Sequence, residues 1–89
     1  SMEILNAQYN FKELGKFWIE ELDQLIKPNE EDIKNIIEKT STVLNIKGKN
    51  LFLPLRLSLI GKEHGPDLYS IINILGIDES IKRIKLNIA

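Results

Sequence analysis

Apolar residues recur every three or four positions along most of this chain, and that period predicts helices. In the first such stretch Phe11, Leu14, Trp18, Leu22 and Leu25 fall on one face, with lysines and glutamates between them. Asn10-Phe11-Lys12-Glu13 has the form of a capping box, in which Asn10 caps the helix and Glu13 reaches back. The run should stop at Lys27, because Pro28 disfavours helical backbone in the residue before it. Asn29 is placed to cap a second helix, and Glu30, Glu31 and Asp32 suit its positive end. Ile33, Ile36, Ile37, Thr40 and Leu44 form the buried stripe of that helix, and Asn45 suits the left-handed turn that ends it.

The period then changes. Ile46-Lys47-Gly48-Lys49-Asn50 reads as a turn. Leu51, Leu53, Leu55, Leu57 and Leu59 alternate, which is the period of a strand. Pro54 interrupts the alternation and cannot donate to a ladder. The same residues also fit a helix that starts at Pro54, with Leu55 and Leu59 on one face and Phe52 just ahead of it. In that reading Leu57 and Ile60 need other neighbours, and the pattern alone leaves both readings open. Further on, Pro66 reads as a helix start, Leu68, Ile71, Ile72 and Leu75 line one face, and Gly76 ends it. Asp78 is suited to cap a last helix with Ile81, Ile84 and Ile88 inside, and with Lys82, Arg83 and Lys85 towards its negative end.

At 89 residues, 43% hydrophobic and 28% charged, the chain reads as one small globular domain with marginal stability of its own. Ser1-Met2 looks like an expression scar, which leaves 3–89 as the domain. The absence of cysteine excludes disulfides and thiolate metal sites and agrees with a reducing, cytoplasmic setting. No apolar run is long enough to span a bilayer and no signal peptide is visible, so no membrane partner is expected. The net charge of −1 does not advertise nucleic-acid binding. Its distribution says more: residues 1–45 hold 5 basic and 9 acidic side chains, and residues 46–89 hold 7 and 4. A half-basic domain can turn one surface to phosphates while the acidic half faces away.

Catalytic patterns are missing. There is no Walker loop, no Gly-x-Gly-x-x-Gly and no metal-ligand pair, and the single His64 cannot build a metal cluster. Ser41, Ser58, Ser70 and Ser80 have only that histidine to share. Glu20-Glu21 and Glu30-Glu31-Asp32 read as solvated helix faces and caps. No catalysis and no cofactor are expected of this chain by itself.

Lysine outnumbers arginine by ten to two, so Arg56 stands out in its setting of leucines. A guanidinium is a rigid fork of donors that suits base edges and phosphates. Pro54-Leu55-Arg56, then Leu59 and Gly61, then Gly65-Pro66-Asp67-Leu68, then Ile74-Leu75-Gly76 and Arg83, follow Lys47-Gly48-Lys49 in a fixed order. That order, from Lys47 to Arg83, resembles the C-terminal anticodon-binding domain of bacterial glutamyl-tRNA synthetase, a class I aminoacyl-tRNA synthetase. The first half fits only as an amphipathic helix pair of suitable length. The resemblance tips the ambiguous leucine run to helix and implies an all-α bundle of about five helices. It implies a fragment of a larger glutamate–tRNA ligase that grips the anticodon loop of a glutamate-accepting tRNA. A catalytic domain using ATP and Mg2+ would lie elsewhere in that ligase, together with its remaining domains. In the family the arginine matching Arg56 contacts the second and third anticodon bases, and the loop matching Gly65, Pro66 and Leu68 surrounds the third. Lys47, Lys49, Lys62 and His64 would then be phosphate contacts. Ile60 stands where the family usually has threonine and Ser58 where alanine is usual, which leaves Ile60 a packing role only. The first anticodon base is read in a neighbouring domain, so a choice between glutamate and glutamine tRNA is not written here.

Plainer readings stand beside these. Arg56 could pair with Glu63 or Asp67 on a helix surface, and Gly65-Pro66 could be an ordinary turn. His64 could face solvent, and the lysines could serve solubility. Trp18 and Phe17 read as core rather than as stacking platforms. A helical protein–protein interaction module without RNA binding is the alternative function.

Overall fold

All the periodic stretches fold as helices. The computed structural model describes residues 10–88 and contains α1 (Phe11–Asp23), α2 (Glu30–Leu44), α3 (Lys49–Ile60), α4 (Leu68–Leu75) and α5 (Ile77–Leu86). The expected all-α class and the five helices are therefore as read, and no strand occurs among the described residues. The proposed scar at Ser1-Met2 lies outside them. Phe11, Leu14, Trp18 and Leu22 of α1 are fully buried, together with Leu51 and Leu55 of α3, Ile72 of α4 and Ile84 of α5. Removing these side chains from water is the main favourable term in folding a chain this short. Helix α1 lies chiefly along α5. Gly15 permits that approach: a Cβ there would stand 2.6 Å from Cγ2 of Ile88 and 3.2 Å from Cγ2 of Ile84.

Helix boundaries depart from expectation in instructive ways. Asn10 is left-handed (φ 50, ψ 49), not extended as a side-chain cap requires. The capping box does not form; Asn10 Nδ2 donates to Glu13 Oε2 at 3.2 Å instead. Helix α1 ends at Asp23, ahead of the expected stop at Lys27, and its last turn is tightened by the Gln24 N–H on the Glu21 carbonyl and the Leu25 N–H on the Leu22 carbonyl. Asn29 does cap α2, accepting from the Asp32 N–H at 2.7 Å, and Asn45 takes the left-handed turn at φ 57. Ile33, Ile36 and Thr40 are buried as expected, while Ile37 and Leu44 are half-buried.

The leucine run is a helix, but it starts at Lys49 rather than Pro54. Pro54 is buried inside it and deprives the Asn50 carbonyl of its partner. Asn50 itself is exposed on the first turn of the helix. Helix α4 likewise starts at Leu68, not Pro66: Asp67 is the cap and accepts from the Ser70 N–H at 2.8 Å. Helix α5 starts at Ile77 with Gly76 as its cap, so Asp78 sits in the first turn, where its charge still faces the positive end.

Candidate nucleic-acid interface

Helix α3 has two faces. Leu51, Pro54, Leu55, Ser58 and Leu59 turn inward. Lys49, Phe52, Leu53, Arg56 and Ile60 share the outer face at three- and four-residue spacing and are exposed or half-buried. Arg56 Nε donates to the Pro66 carbonyl at 3.2 Å, and its guanidinium carbon lies 5.7 Å from the centre of the Phe52 ring. That distance is within cation–π range. Ring and carbonyl thus hold the planar group in one orientation, and Nε is the guanidinium nitrogen so engaged among the described residues. Neither Glu63 nor Asp67 forms an ion pair with it; among the described residues the pairs are Lys39–Glu21 and Arg83–Glu79. Asp67 is near enough to feel Arg56. Its carboxyl is held below the ordinary carboxylate range, first by the Ser70 N–H and hydroxyl and in smaller part by the Arg56 charge.

The loop after α3 forms the second half of the site. Gly61 adopts φ 71 and closes the helix with its N–H on the Leu57 carbonyl, a left-handed ending that favours glycine. Lys62, Glu63, His64, Gly65 and Pro66 are all exposed. Cδ1 of Ile60 stands 3.1 Å from where a Cβ on Gly65 would be, so Ile60 supports the loop by packing under it. Leu68 does not fit the role expected of it as an apolar platform for a base. It is only 2% exposed because the first turn of α4 points it into the core. It anchors the loop from beneath, which leaves Pro66 and Phe52 as the apolar surfaces beside Arg56.

The expected phosphate contacts fall into two groups. Lys62 and His64 lie on the loop, while Lys47 and Lys49 lie at the opposite end of α3. A helix of 12 residues is about 18 Å long, so no single phosphate touches both groups. Lys49 shares the outer face with Arg56, which makes a stripe along the helix rather than a cluster.

Sequence reasoning passed over two residues. Phe52 lies one helical turn before Arg56, and that four-residue spacing was the available signal. Arg83 was read as part of the motif order and as a charge suited to the negative end of the last helix, not as a link to α3. In the structure its Nη1 donates to the Leu59 carbonyl at 2.7 Å, and its Nε donates to Glu79 Oε2 at 2.8 Å. The Leu59 carbonyl belongs to the last turn of α3 and has no partner within that helix. Arg83 therefore straps α5 to the end of α3 from which the loop departs. Accepting from Arg83 is the main reason the Glu79 carboxyl lies below its ordinary range.

Residues 5–88 match the model of a family described as the anticodon binding domain. The chain belongs to that family. The match takes in the first helix pair as well as the motif-bearing half, and so extends past the span that carried the resemblance. This anticodon-binding domain is 38% identical over 76 residues to the glutamate–tRNA ligase of Mycoplasma mycoides, covering 85% of the domain and 16% of that ligase. It is 43% identical over 74 residues to that of Mycoplasma genitalium, covering 79% and 15%. With that of Carboxydothermus hydrogenoformans it shares 42% over 65 residues, covering 73% and 14%. The domain thus spans only about a sixth of the length of the curated relatives it matches. No solved structure matches it. Among its described residues no three His, Asp or Glu side chains gather into a metal-holding group. No helix among them is long and apolar enough to cross a membrane.

Proposed function

We propose that this domain holds the anticodon loop of a glutamate-accepting tRNA, as the C-terminal part of a cytoplasmic glutamate–tRNA ligase whose ATP- and Mg2+-dependent chemistry resides in other domains. The observation that carries the reading is Arg56: its guanidinium is held by the Pro66 carbonyl against Phe52, unpaired by any carboxylate among the described residues. Unstacked loop bases expose their edges and faces, and an arginine held in this way can bond to an edge or stack on a ring. Gly65 offers backbone groups in the adjoining loop and Pro66 an apolar surface, and Lys62 and His64 on one side, with Lys47 and Lys49 on the other, suit the flanking phosphates.

The test is a titration of the 89-residue chain with an RNA hairpin bearing the anticodon loop, followed by amide chemical shifts. Amides around Arg56 and Gly65 should move first. Arg56→Ala should weaken binding by roughly 5- to 100-fold, the range of about 1–3 kcal/mol for a good base contact. Arg56→Lys should restore little, because the fork is lost. Binding should also weaken steeply with salt as counterions are released, which docking to an apolar protein surface would not do. Equal affinities for the parent, alanine and lysine chains would overturn the proposal.

A further inference from the structure

The bend between α1 and α2 lies against the corner between α4 and α5, and a cleft of about 630 Å3 opens there. Leu25, Pro28, Leu75 and Ile77 supply its apolar lining, and the exposed Lys27 and Asp78 bring a charge of each sign to it. Ile26 borders the cleft and is fully exposed. We propose that this face binds a second copy of the chain about a twofold axis. Ile26 of each copy sits in the cleft of the other, and Lys27 of each faces the other's Asp78.

Three observations point to that occupant. Protrusion and recess share one patch, and a twofold contact needs both, because each copy presents the same surface to the other. Ile26 is the most exposed of the large apolar side chains among the described residues, so covering it removes the most apolar surface from water. The charges beside the cleft complement each other and are unused within the chain. Lys27 and Asp78 line the same cleft, yet the ion pairs among the described residues are Lys39–Glu21 and Arg83–Glu79. A twofold axis through the patch sets Lys27 against Asp78 twice over, which fixes the register and rejects arrangements that bring like charges together. The patch also leaves the Arg56 face open: Arg56 bonds to Pro66 ahead of α4, and the cleft lies at the far end of that helix, about 12 Å along. Size sets the strength. A contact over about a tenth of the 5448 Å2 surface is roughly 540 Å2 per copy, below the roughly 800 Å2 of a standard interface. The dimer is therefore a weak one, with a dissociation constant of about 10–500 µM.

Sedimentation equilibrium of the chain without RNA, from roughly 10 µM to 1 mM, tests this. The weight-average mass should climb from 10.2 kDa towards twice that value. Ile26→Asp should hold the chain at the monomer mass with an unchanged Tm, since a fully exposed side chain gives the fold little to lose. Lys27→Glu and Asp78→Lys should each weaken association several-fold, because each sets like charges face to face. Mixed in equal amounts, those two variants should associate as well as the parent, because both contacts of the mixed pair again join opposite charges. A mass that stays at 10.2 kDa up to about 1 mM overturns the proposal and leaves the patch to a different protein. Association that Ile26→Asp does not reduce, or charge variants that mixing does not rescue, overturns it as well.

Discussion

Replacing Arg83 should loosen the loop that carries the candidate site, although Arg83 does not lie on that loop. Its Nη1 bonds the Leu59 carbonyl at 2.7 Å, and this carbonyl has no partner inside α3. A hydrogen bond with a charged partner contributes about 1.5–3 kcal/mol net. The Arg83 side chain is 39% exposed, so water takes over part of that bond after truncation. For Arg83→Ala we expect a loss of about 1–1.5 kcal/mol, towards the lower end. In a domain of this size 1 kcal/mol moves the melting temperature by about 4–8 °C, so Tm should fall by about 5–10 °C. Circular dichroism melting of the 89-residue chain measures this. The amide spectrum locates it: shifts should concentrate at Gly61 to Gly65 and at the end of α3. Glu79→Gln is the control, since it removes the ion pair and leaves the bond to Leu59; its effect should be clearly smaller, as expected for an exposed pair. A melting temperature for Arg83→Ala within about 1 °C of the parent, or shifts spread away from the loop, would refute the reasoning.

Other outcomes follow from the same contacts. Asn29→Ala removes the 2.7 Å cap on the Asp32 N–H and should cost about 1 kcal/mol in urea unfolding. Trp18→Ala empties a fully buried site and should cost about 3–5 kcal/mol, enough to leave much of so small a domain unfolded in the same measurement. Asp67 and Glu79 have folded-state pKa values below their ordinary ones, so their contribution to stability is complete above the ordinary carboxylate range. It is lost as pH falls through the lower folded values, so Tm should drop on acidification below about pH 4, and less in the Asp67→Asn, Glu79→Gln double variant.

The helical class and most core positions were legible because a period of three to four needs only the residues on one face. Ile33, Ile36, Leu68 and Ile84 all declared themselves in this way. Helix ends were less legible because they depend on backbone angles that the pattern does not carry. Asn10 and Asn29 both look like caps, but only Asn29 is extended; Asn10 is left-handed and its side chain turns to Glu13. Two prolines were read as helix starts and neither is one. Pro54 falls inside α3, where the residue whose carbonyl it orphans, Asn50, is an exposed one on the first turn, and Pro66 lies outside α4 because Asp67 is the cap. In the site, Arg56 was visible as a scarce residue type. The Phe52 ring beneath it needed the true start of α3, and Leu68 was misplaced because a loop motif does not say which of its side chains points inward. Arg83 joins positions 24 residues apart, a contact that no local pattern encodes.

Gly76 ends α4 with its N–H on the Ile72 carbonyl and starts α5 with its own carbonyl on the Ser80 N–H, so one residue serves both helices. A joint this short has no slack. Movement of α4 when its leading end meets a ligand must carry α5 along as a lever about that pivot, and Arg83 rides on the moving arm. Insertions at this corner should therefore be far harder for the domain to absorb than insertions in the longer bend between α1 and α2.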